Sequence, residues 1–144
     1  METHIPDITR VIQLAVAPVF LLTAIGTLIT ALNNRLARAV DRRRVVTQQI
    51  DASTDHAAEL RAELAQLQRR ARLIYFAILA AVVAALFVCL VVASAFLAAL
   101  FSVEIAILVA VLFILAMVAL IVSLGMFLRE IFLAVNFGNA AARR

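Results

Sequence analysis

The sequence predicts an all-α integral membrane protein with three transmembrane helices and a cytoplasmic helical hairpin joining the first two. Three observations predict this fold class. Residues 11–32 carry no formal charge, residues 73–128 carry only Glu104, and residues 33–72 between them contain neither Gly nor Pro. The composition agrees, at 66% hydrophobic and 15% charged over 144 residues, which leaves room for a single membrane domain over 1–144.

The first span is expected over about 11–32, roughly 33 Å of helix. Its helix should begin near Pro6 and Asp7, because a fixed φ and a negative charge both suit a helix start. Pro18 removes a backbone donor and crowds the carbonyl of Leu14, which predicts a bend there. The second apolar block must break. As one helix it would extend roughly 84 Å, against a hydrocarbon core of ~30 Å. Ser102 is the predicted N-cap at the break, with Glu104 in the first turn. The second and third spans then fall at about 75–101 and 105–128.

Residues 33–72 read as two helices joined at Asp51-Ala52-Ser53-Thr54-Asp55, a cluster of turn and cap formers. Leu60, Leu64, Leu67, Ala71, Ile74 and Ile78 form a heptad seam that runs into the second span. Leu36, Val40, Val46 and Ile50 are the weaker apolar set of the first half. Two readings fit the seam. The hairpin packs on itself with its arginines toward solvent or headgroups, or it also docks a cytoplasmic protein partner or another protomer.

All 13 basic residues are Arg, and nine of them lie in 33–72. Arg129, Arg143 and Arg144 follow the third span, while Arg10 alone precedes the first. The positive-inside rule therefore predicts a cytoplasmic hairpin and C-terminus with the N-terminus outside. Glu2, Asp7 and Arg10 do not make a basic leader, so no secretory signal peptide is expected. Arg35, Arg38, Arg42, Arg43 and Arg44 are candidate anchors for anionic lipid headgroups. The basic segment holds no Phe, Tyr or Trp, and no nucleic-acid partner is expected.

One constellation goes beyond threading. Gln13, Thr23, Thr27, Thr30 and Asn34 fall within a sector of roughly 100° on the first helix. Such a stripe should meet protein or water rather than lipid, with Gly26 beside it permitting close backbone approach. Leu21, Leu22, Ile25 and Leu32 lie opposite and suit lipid. The stripe is either packing glue between helices or the lining of a water-filled path through an oligomer. Ala81 and Ala85, and Ala119 and Ser123, are among the small-xxx-small pairs of the later spans. Cys89 is the only cysteine and is expected to be an inert packing residue. His4 and His56 are isolated. No grouping of nucleophile, base or metal ligands can be assembled, so neither an enzyme nor a cofactor is expected.

The stretch from Val11 to Thr23, then Asn34-Arg35-Leu36-Ala37-Arg38, Asp41-Arg42, Arg69-Arg70-Ala71-Arg72-Leu73-Ile74 and Phe127-Leu128-Arg129-Glu130, resembles a family of small bacterial inner-membrane proteins catalogued as domain of unknown function 2721. The resemblance implies a bacterial origin and three spans, and it brings no activity. The function expected is a non-enzymatic structural, interaction or accessory subunit that self-associates. The alternative is a small homo-oligomeric channel lined by the polar stripe.

Overall fold

The computed structural model describes the backbone of residues 5–52, 57–101 and 105–141, and side chains over 12–13, 16–51, 57–101 and 105–134. Among the described residues there are three helices and no strand: α1 (Ile5–Ala52), α2 (Ala57–Phe101) and α3 (Ala106–Ala141). All three are long and apolar enough to cross a membrane, which makes the chain a multi-pass helical membrane protein.

The expected helix junctions fall where the helices end. α1 stops at Ala52 and α2 at Phe101; Ser53, Thr54, Asp55 and the Ser102–Glu104 cap lie outside the described residues, as do His4 and His56. The carbonyl of Ile105 accepts the first bond of α3, from the Val109 amide at 3.1 Å. α1 runs without a break through Pro18. α3 continues beyond the apolar run, and this extra length places Glu130 on a helix rather than in a tail.

The chain divides into two compact units, Met1–Ile29 with Ala80–Ile121, and Thr30–Leu79 with Val122–Arg144. In the first, Ile25 of α1, Ala81, Ala84 and Val88 of α2, and Ala116 of α3 form the buried cluster. Three of the five are alanines, and side chains this small let helix backbones approach closely, where van der Waals packing is the main source of cohesion in lipid.

In the second unit the buried positions include Leu32 and Val46 of α1 and Leu67, Ile74 and Ala77 of α2, with Ser123 and Glu130 from α3. The heptad seam faces inward here: Leu67 and Ile74 are buried, and Leu60, Leu64, Ala71 and Ile78 are half-buried. Val40, placed in the apolar set from the sequence, is instead exposed. Ser123 donates its hydroxyl to the Ala77 carbonyl at 2.7 Å, tying α3 to α2. Ser123→Ala should cost about 0.6 kcal/mol and at most ~1.7, the range of hydrogen bonds between membrane helices. Reversible unfolding in mixed micelles, with mutant and wild type compared, checks this.

Two expectations are corrected. Ile25 and Leu32, expected against lipid, are core residues, because the inner line of α1 repeats every seven residues and falls opposite the hydroxyls. Cys89 is exposed rather than packed, since Ala81, Ala84, Val88 and Val91 take the inner face of α2. At Gly26, where close backbone approach is expected, a Cβ would meet nothing within 4 Å among the described residues.

Candidate functional site: a buried carboxylate held by two arginines

Each helix of the second unit delivers one charged side chain to a common point. α3 supplies Glu130, 1% exposed and the buried acid among the described residues. Arg35 of α1 donates from Nη1 to Glu130 Oε2 at 2.7 Å, and Arg70 of α2 donates from Nη2 to Oε1 at 2.8 Å. Each carboxylate oxygen is thus matched to its own guanidinium, the charge-assisted geometry in which such bonds are strongest. The arginine side chains keep 32% and 28% of their surface, against 2% for Glu130. The acid is the enclosed partner, and the arginines are its lid.

Helical periodicity explains the convergence. Ala116, Ser123 and Glu130 are the buried residues of α3 among those described and follow one another every seven positions, so they lie on one line of that helix. Phe127, one turn before Glu130, lies under the Arg35 guanidinium, 5.1 Å from carbon to ring centroid. This cation–π contact contributes roughly 0.5–1 kcal/mol and fixes the plane from which Arg35 addresses the acid.

Beside the triad is a cleft of about 220 Å³, lined by Arg35, Arg38 and Arg42 of α1, Leu67 and Arg70 of α2, and Glu130. Arg35, Arg38 and Arg42 are spaced by three and four residues, which puts them on one face of α1. Arg42 pairs with Glu63, Nη2 to Oε1 at 2.7 Å. Both groups of that pair are accessible to solvent, so it is worth about 0–1 kcal/mol. Arg70 Nε is buried without a hydrogen-bond acceptor among the described residues.

The candidate headgroup anchors therefore separate. Arg35 is half-buried in the triad, Arg38 and Arg42 are exposed and line the cleft, and Arg43 and Arg44 are exposed without lining it. The polar stripe is not brought into this site. Gln13, Thr23, Thr27, Thr30 and Asn34 are all exposed. Thr23 donates to the Val19 carbonyl at 3.2 Å and Thr27 to the Thr23 carbonyl at 3.0 Å. Glu130 and Arg70 were not among the sequence candidates. The signal that marks Glu130 is its seven-residue register with Ser123 and Ala116 on the small-residue line of α3.

No curated protein and no solved structure matches the chain. The family model described as protein of unknown function (DUF2721) matches residues 15–140, nearly the whole of the helical framework that carries the triad, and the chain belongs to that family.

Proposed function

We propose that the protein is a non-enzymatic bacterial inner-membrane protein that self-associates through the threonine face of α1 and serves as a structural or accessory subunit. In this reading the N-terminus is outside, and the arginine-rich hairpin and C-terminus are cytoplasmic, as the distribution of Arg favours. The observation that carries the reading is the outward orientation of Thr23, Gly26, Thr27 and Thr30, all exposed, with Phe20 beside them 72% exposed. Threonine and glycine on one helix face suit close packing against a second helix in lipid. The protomer turns that face away from its own core, which leaves a second copy to cover it.

The same geometry weighs against the channel reading. A wet path is best lined by hydroxyls free both to donate to and to accept from water, whereas those of Thr23 and Thr27 donate to carbonyls of their own helix and are left only as acceptors. Ile12, Val16, Val19, Phe20 and Phe96 line an apolar cleft of about 260 Å³ beside this face, which again suits packing rather than conduction.

The oligomeric state in nanodiscs tests the proposal. Wild type is expected to associate, and Gly26→Ile to weaken that association at least tenfold by filling the gap a second backbone needs. Thr27→Val should leave the stability of the protomer within about 0.5 kcal/mol. A wild-type protein that stays monomeric at every protein-to-lipid ratio would overturn self-association and conduction together. Intact oligomers whose ionic current disappears on Thr→Val substitution would establish the channel instead.

A further inference from the structure

We infer that the cleft between Arg38, Arg42 and Arg70 is a binding site for a phosphate monoester or free phosphate, independent of the self-association proposed above. Four guanidinium groups line it against one carboxylate. Counting Glu63 as well, which pairs with Arg42, still leaves the cations in excess by two, the charge of a phosphate dianion. Glu130 is fully engaged by Arg35 and Arg70, so it holds those two arginines in place without neutralising the other two.

The donors fit this ligand. Guanidinium presents paired N–H groups at the spacing of phosphate oxygens. Arg38 has no hydrogen-bond or ion-pair partner among the described residues, and its side chain is exposed on the cleft wall. The Arg42–Glu63 pair is exposed and weak, so exchanging Glu63 for phosphate costs little. A volume of about 220 Å³ corresponds to roughly seven waters at ~30 Å³ each, enough for one tetrahedral oxyanion and its hydration.

Position favours a lipid as the source. Arg35 comes three residues after the apolar run ending at Leu32, Arg70 three before Leu73, and Glu130 two after Leu128. At 1.5 Å per residue the triad lies about 3–5 Å beyond the ends of the apolar runs, the level of headgroup phosphates, and Arg38 and Arg42, six and ten residues after Leu32, carry the cleft to roughly 9–15 Å beyond them. Arginine pockets between membrane helices at this level are suited to anionic headgroups.

Native mass spectrometry of the full-length protein in maltoside detergent tests the site, with dioleoyl phosphatidate, dioleoyl phosphatidylcholine and inorganic phosphate as probes. Phosphatidate is expected to be retained at least tenfold better than phosphatidylcholine. The doubly substituted R38Q/R42Q should lose that preference, whereas R43Q/R44Q, with the same change of charge on the same helix, should keep it. R38Q/R42Q leaves the triad intact, and a thermal melt confirms that it is folded. Competition by millimolar inorganic phosphate would identify soluble phosphate as a source, and retention of phosphatidate under the same phosphate would identify the headgroup. Equal loss in both double variants, or adducts of neither phosphatidate nor phosphate above the phosphatidylcholine level, would overturn the inference.

Discussion

Glu130→Leu, made alone, is expected to destabilise the protein by about 3–5 kcal/mol, the cost of removing one partner from a buried ion cluster. The loss does not come from the carboxylate itself. It comes from the two guanidinium groups left behind, Arg35 and Arg70, which contact opposite oxygens of Glu130 at 2.7 and 2.8 Å and would then face each other without a counter-ion. Removing all three charges together should be far milder. The triple variant R35M/R70M/E130L is expected to recover most of the loss, because well-packed apolar replacements for a buried triad are often neutral or better. Equilibrium unfolding in mixed micelles, read by circular dichroism, measures both variants. A triple variant no more stable than Glu130→Leu would show that the three groups are not coupled.

Ala77→Leu is the second change with a large expected effect. Ala77 is fully buried on α2 and its carbonyl accepts the Ser123 hydroxyl at 2.7 Å, so α2 and α3 are close at this point. A leucine there must push the helices apart or adopt a strained rotamer, costing about 1–3 kcal/mol. Separation of the helices would add the lost Ser123 bond, about 0.6 kcal/mol. The expected loss therefore exceeds that of Ser123→Ala, measured in the same way. Tolerance of leucine with an unchanged melt would mean that the α2–α3 contact is looser than its 2.7 Å bond implies.

The all-helical, three-span architecture was legible because charge is excluded from hydrocarbon, and the gaps in charge between 11–32 and 73–128 outline the apolar runs. The α2 seam was legible for a similar reason: Leu67 and Ile74 belong to a 3–4 repeat that only one helix face can satisfy. The face of α1 opposite the threonines is misread from sequence for a specific reason. Ile25 and Leu32 suit lipid by composition alone, but the same apolar side chains serve as core wherever a second helix covers them, as it does here. The threonines do not compete for that inner line, since Thr23 and Thr27 donate their hydroxyls to carbonyls four residues back on their own helix.

The triad was hidden for a different reason. Arg35, Arg70 and Glu130 are separated by 60 and 95 positions in the pairs they form, and no local pattern links them. Arg35 looked like any other arginine of a basic segment. Glu130 looked like the first acid beyond the membrane, and only its register with Ser123 set it apart.

Synthesis of the chain gives that separation a further meaning. A ribosome making this protein delivers Arg35 first, Arg70 next and Glu130 last. Until then the first two helices present two positive charges at the point where they are to meet, and their pairing is opposed there by electrostatic repulsion. Arrival of the third helix replaces that repulsion with two short ion pairs. The order of translation therefore disfavours close approach of α1 and α2 at Arg35 and Arg70 until α3 supplies Glu130, although the Arg42–Glu63 pair already links the two helices.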